Sequence, residues 1–115
     1  MKVIITDGSQ PVGRGIGPAL EARDILAVLR NESHAPQDLK ERALLLAGEI
    51  LELSDSVQTG DGINMSRDLL ESGKDYRKFM AICKAQGGFS EPELARYQHE
   101  IKAERAGSVT KVDNR

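Results

Sequence analysis

The sequence has little of what usually fixes a small fold from outside. Cys83 is its only cysteine, so no internal disulfide can form. Tryptophan is absent, and the other aromatics are Tyr76, Phe79, Phe89 and Tyr97, with only Arg77-Lys78 interleaved. That is too little for a nucleic-acid stacking platform. Neither sign of charge prevails: 16 Lys and Arg stand against 18 Asp and Glu, without a long basic run. Nothing here favours a polyanion as partner. The longest apolar stretch, Ala43 to Ala47, falls far short of the roughly 20 residues that a membrane helix needs. Met1 to Thr6 carries too short an apolar run for a signal peptide. Together these absences point to a cytoplasmic setting, with neither nucleic acid nor membrane as partner.

The usual chemical motifs are missing as well. His34 and His99 lie far apart, and with one cysteine they make no metal-ligand spacing. No serine sits in a nucleophile elbow, and no Gly-Lys-Ser/Thr closes a phosphate loop. There is no internal repeat and no low-complexity stretch.

What is present reads as an α/β piece, predominantly helical. Val3-Ile4-Ile5 is a short β-branched run ended by Asp7-Gly8, which predicts a strand. Gly8 to Gly17 holds four glycines and Pro11, a loop that must turn tightly or approach something closely. Pro18 suits the first turn of a helix that fades near Asn31, with Ala22, Ile25, Leu26 and Leu29 on its apolar face. A second helix is expected from about Pro36 to Leu53, on the stripe Leu39, Ala43, Leu46, Ala47 and Ile50. Leu44, Leu45 and Leu51 widen that stripe, which predicts cover on more than one side. A third helix spans Ile63 to Ser72, with Gly73 just past its end. A fourth runs from about Tyr76 to Ala85, with Tyr76, Phe79, Met80 and Cys83 on one face, and Gly87-Gly88 stops it. His99 to Glu104 and Ser108 to Val112 alternate loosely and predict two short strands. The expectation is therefore one N-terminal strand, about four helices and two C-terminal strands. A lone strand leaves its backbone unpaired, and a pair of short strands is not stable alone, so both ends read as parts of something larger.

Three blocks, in order, resemble the thymidine phosphorylase family, which includes pyrimidine-nucleoside phosphorylases and archaeal AMP phosphorylases. The first is Ile4-Ile5-Thr6-Asp7-Gly8-Ser9-Gln10-Pro11-Val12-Gly13, running on through Gly17-Pro18-Ala19-Leu20-Glu21-Ala22-Arg23-Asp24. The second comprises Leu70-Glu71-Ser72-Gly73, Lys78-Phe79 and Ala85-Gln86-Gly87-Gly88. The third, Ala106 to Arg115, resembles the entry to the family's C-terminal barrel-like domain. Gly17 to Arg23 and Ala27 to Asn31 look closest to the family's long bacterial branch, which shares features with AMP phosphorylases.

The resemblance implies that residues 1–95 form the C-terminal part of an α/β phosphorylase catalytic domain, and 96–115 the start of the next. It implies phosphorolysis of thymidine to thymine and 2-deoxyribose 1-phosphate, with inorganic phosphate as co-substrate, in a homodimeric parent. A nucleoside 5′-monophosphate such as AMP is the alternative substrate. The family's catalytic residues lie upstream, so none is carried onto this chain, and no organic cofactor is required. The resemblance also implies a potassium ion held by the carbonyls of Val12 and Gly15 and the carboxylate of Asp24. The family carboxylate is usually Glu, one methylene longer. Read without the family, Gly13-x-Gly15-x-Gly17 is either a phosphate cradle or a set of tight turns, and the turns are favoured. Its spacing departs from the dinucleotide fingerprint. Asp24 by itself suits the N-terminal half of a helix facing solvent, Glu21 suits bonding to loop amides, and Cys83 suits an inert buried thiol. From another class altogether, a small non-catalytic helical interaction module fits the same helices.

Overall fold

The structure, a computed structural model, describes residues 2–113; Met1 and the last two residues of the third block, Asn114 and Arg115, lie outside it. Four helices follow in chain order: α1 (Pro18–Leu29), α2 (Gln37–Leu51), α3 (Gly62–Glu71) and α4 (Lys74–Ala85). Each helix boundary has a local cause. Pro18 occupies the first turn of α1, where its missing N–H costs nothing. Asn31 ends α1 in the left-handed conformation at φ 55°, with Glu32 N–H bonded to the Ala27 carbonyl and Asn31 N–H to that of Val28. Gly87 and Gly88 end α4 in the same way, at φ 113° and 121°, with Gly88 N–H on the Cys83 carbonyl. Gly73, at φ 68°, both ends α3 and begins α4.

The core is small. Ala27 and Val28 of α1, Ala35 of the following turn, Leu44 of α2 and Leu70 of α3 form one buried cluster, with Leu29 and Leu39 packed against it. Asn31 Nδ2 donates to the Leu70 carbonyl at 2.9 Å, which ties the end of α1 to the last turn of α3. The tightest contact is the crossing of α2 on α3. A Cβ on Gly48 would meet the Ile63 nitrogen at 2.7 Å, and a Cβ on Gly62 would strike the Gly48 carbonyl. Next to this crossing Ser66, 2% exposed, donates to the Leu44 carbonyl at 3.1 Å. Glu52 caps the connecting loop by accepting from Gly60 and Gly62 N–H at 2.9 and 3.1 Å. Those two amides hold its carboxyl below the ordinary value.

The expected strands are not found: among the described residues there is no strand and no sheet. Val3-Ile4-Ile5 is neither helix nor strand, and Val3 and Ile5 are 73% and 95% exposed. His99 to Glu104 and Ser108 to Val112 likewise run as exposed non-helical chain without pairing to each other. The β-branched composition was not enough, because a strand exists only with a partner to bond. The apolar faces also shift. α2 buries Leu44 and Gly48, while Ala43, Leu46, Ala47 and Ile50 of the expected stripe face outward, Ile50 at 67% exposed. On α4 the expected face of Tyr76, Phe79, Met80 and Cys83 is the inner one but stays half-buried, so the Cys83 thiol is only partly covered. No described helix is long and apolar enough to cross a membrane.

The glycine crossing gives a direct test. Gly48→Leu forces α2 and α3 apart and is expected to cost about 1–3 kcal/mol, the usual penalty of overpacking. Gly8→Ala, where an added Cβ meets nothing within 4 Å, is expected to leave stability unchanged. Urea melts followed by helical circular dichroism of the two variants check both outcomes.

Candidate functional site

The glycine-rich loop of residues 8–17 is shaped by carboxylates from the helices that follow it. Asp24, half-buried on α1, turns Oδ2 back into the loop and accepts from Arg14 N–H at 2.6 Å and Gly15 N–H at 2.7 Å. Asp38, in the first turn of α2, accepts from Gly13 N–H at 3.2 Å and from the Arg14 guanidinium at 3.1 Å. Glu21 accepts from Gly17 N–H at 3.0 Å and closes the turn into α1. At the loop's entrance Asp7 accepts from Ser9 N–H at 2.8 Å, and this bond chiefly holds the Asp7 carboxyl below its ordinary value. Successive amides thus point at negative charge, the nest geometry by which glycine-rich turns meet anions.

The glycines are there for close approach. A Cβ on Gly13 would lie 2.7 Å from Asp24 Oδ2, and one on Gly15 would lie 2.5 Å from the backbone of Leu20. Gly13 and Gly17 also adopt φ of 85° and 99°. The reading of these glycines as tight turns therefore fits the geometry, and the same holds for Glu21 as a bond to loop amides. Asp24 does more than face solvent, because it organises the loop.

Of the residues singled out for a cation, Gly15 and Asp24 are in direct contact, through the Gly15 N–H, and Val12 lies half-buried in the same turn. Among the described residues no group of three or more His, Cys, Asp or Glu is placed to hold a metal ion. Sequence reasoning missed Asp38. It also missed Gln10, whose Oε1 accepts from Val112 N–H at 2.9 Å and brings the C-terminal segment to the loop. That contact helps frame a cleft of about 480 Å³ over Gln10, Gly13 and Gly15, with Val109 and Val112 opposite. His34 lies 3.2 Å from Glu32, with its side chain largely exposed.

Burial alone would push the Asp38 carboxyl up, but the Gly13 amide, the Arg14 guanidinium and the Leu39 amide outweigh it and hold it below its ordinary value. A depressed folded value means that the bond to the loop is complete at neutral pH and is lost only as pH falls through that value, below the ordinary aspartate range. The Gly13 amide resonance is expected to move with an inflection below the ordinary aspartate range, and the inflection should vanish in Asp38→Asn. Removing Asp24 leaves two amides without their charged acceptor, so Asp24→Ala is expected to cost about 2 kcal/mol and to free the loop. Amide hydrogen exchange at Arg14 and Gly15 measures that change.

No protein-family model matches the chain. Individual proteins do, along its whole length. It is 58% identical over 115 residues to a "Putative thymidine phosphorylase" of Hahella chejuensis. Identities to proteins of the same name are 55% in Polaromonas sp. and 53% in Parvibaculum lavamentivorans, again over 115 residues. All of this chain is covered in each case, while the chain spans only 22–23% of the relatives' length. Over its full length the chain therefore belongs with the thymidine phosphorylase family, and it matches one segment of the family's longer members.

Proposed function

We propose that this chain is the loop-bearing segment of a nucleoside phosphorylase. Inorganic phosphate attacks the anomeric carbon of thymidine, the glycosidic bond breaks, and thymine leaves with 2-deoxyribose 1-phosphate as the other product. The observation that carries the reading is identity of 52–58% to proteins of that name along the entire chain. Residues 1–95 are taken as part of the catalytic domain and 96–115 as the start of the next, in a homodimeric parent.

The packing supports a segment over a free-standing helical module. Leu46 and Ile50 on α2, Leu53 just beyond it, and Val3 and Ile5 near the start leave several large apolar side chains in solvent. Four helices with a core of this size do not cover their own apolar surface. The radius of gyration of 16.9 Å, against about 13 Å for a compact hundred-residue domain, says the same.

In this reading the segment contributes shape rather than reacting groups. It sets the turn of the glycine-rich loop, and no residue here is assigned to bond making or breaking. A potassium ion at the loop would take carbonyl oxygens of Val12 and Gly15 and a carboxylate oxygen of Asp24, a hard-oxygen set suited to such a cation. Its effect would be to fix the loop against the phosphate-binding part of the parent.

The test is phosphate-dependent base release from thymidine, uridine, AMP and CMP by the parent protein and by this chain in parallel. Turnover of thymidine by the parent alone is the expected result; a preference for AMP or CMP would reassign the substrate to a nucleoside monophosphate. Activity in the 115-residue chain itself would overturn the assignment of the reacting groups to other parts of the protein. Replacing potassium by sodium is expected to lower the parent's activity, and Asp24→Ala to remove that dependence. In the same protein Ile50→Asp is expected to lower the melting temperature by several degrees, as burial of a charge requires. No change would mean that this face of α2 stays in solvent.

A further inference from the structure

A second cleft lies between α1 and the segment that follows α4, on the side of the loop where Arg14 emerges. Its volume is about 440 Å³, and Arg14, Arg23, Arg30 and His34 line it together with Glu32 and Glu91. Arg23 on α1 and Arg30, the residue just past its C-terminal end, stand seven residues apart and so on one side of the helix.

The cationic side of this cleft is held rigidly. Arg30 is only 29% exposed, its guanidinium lies over the Tyr76 ring at 5.4 Å, and its Nε faces the Tyr76 hydroxyl at 3.4 Å. The two outer nitrogens of the guanidinium point outward as a pair and meet both oxygens of Glu91, at 3.0 and 2.7 Å. Arg23 donates to the neighbouring Pro92 carbonyl at 3.0 Å. The anionic side, by contrast, is loose: Glu91 is 51% exposed and sits on non-helical chain beyond the end of α4. Glu91 is the more exposed partner of the pair, so solvent and salt screen its side of the bond. A planar guanidinium fork accepts a carboxylate or a phosphate in the same bidentate geometry, and a phosphate dianion brings twice the charge. With Glu91 withdrawn, the lining keeps Arg14, Arg23 and Arg30 against Asp24 and Glu32. Asp24 is already engaged by loop amides, and Glu32 stands 3.9 Å from Arg30.

We propose that this cleft is a receptor for a phosphate-type oxyanion, built on Arg30 and Arg23, in which the Glu91 carboxylate is the resident competitor. Binding of the oxyanion releases the segment around Glu91 and Pro92 from α1. The inference does not depend on the reaction proposed above, because its readouts are binding and release rather than turnover.

The experiment follows the side-chain Nε–Hε resonances of Arg23 and Arg30 during titration with inorganic phosphate. Phenyl phosphate serves as a monoester, and sodium chloride is matched in ionic strength. A saturable shift with phosphate or the monoester and none with chloride is expected, and the stronger of the two names the source. Glu91→Gln removes the competitor without removing the receptor, so its half-saturating concentration is expected to fall several-fold. Arg30→Gln is expected to abolish saturation; should it lose helicity, Arg23→Gln carries the same expectation in weaker form. Trypsin cleavage after Arg96 is expected to quicken several-fold on addition of phosphate. Equal drift in chloride, or an unchanged half-saturation in Glu91→Gln, overturns the proposal.

Discussion

The crossing of α2 on α3 at Gly48 and Gly62 sets the orientation of everything else. α2 carries apolar residues on more than one side, so its hydrophobic pattern alone does not choose a buried face. Backbone contact at Gly48 makes the choice, because only the glycine side lets α3 come close enough for Ser66 to reach the Leu44 carbonyl. Leu44 is then turned inward against Leu70 and Val28, and Leu46, Ile50 and Leu53 are turned outward. The outward stripe is thus a consequence of close packing elsewhere. A face that is apolar, helical and uncovered asks for a partner, and this is the physical basis for regarding the chain as one segment of a larger body.

A second constraint is electrostatic and acts on the loop. Asp24, Asp38 and Glu21 come from two helices, and each accepts at least one backbone amide of residues 13–17. A chain rich in glycine loses much entropy when it is fixed, and charge-assisted bonds at several successive amides offset that loss. The same arrangement bears on how the loop would meet a ligand. Its amides are already occupied by carboxylates, so an incoming anion finds few free donors there.

The helices were legible in the sequence because their causes are local. Pro18 starts α1, Gly73 separates α3 from α4, and Gly87-Gly88 stops α4, each within a turn of its expected place. The chosen face of α2 was not legible, because the largest side chains drew the stripe toward Leu46 and Ile50 while a residue with no side chain decided the packing. Asn31 gave half a signal: it marks a helix end, but its bond to Leu70 spans 39 positions and nothing local announces it. At the candidate site Asp24 was singled out as a cation ligand through the family resemblance; its contact with the Gly15 N–H is a different one, an amide bond that shapes the loop. Asp38 and Glu91 were missed, because their partners lie 25 and 61 residues away.

The expected strands show the same division from the other side. Val3-Ile4-Ile5 has the composition of a strand, yet no ladder forms among the described residues. A helix satisfies its backbone within itself, so its sequence is enough to form it once one face is covered. A strand satisfies its backbone only across to another strand, so the same quality of sequence signal predicts a requirement rather than a structure. Val3 to Ile5 precede a loop that three carboxylates already hold, and α1 stands between that loop and the outward stripe of α2. The loop is therefore shaped by bonds among the described residues, and Asp24 and its two amides need no added strand to stay in place.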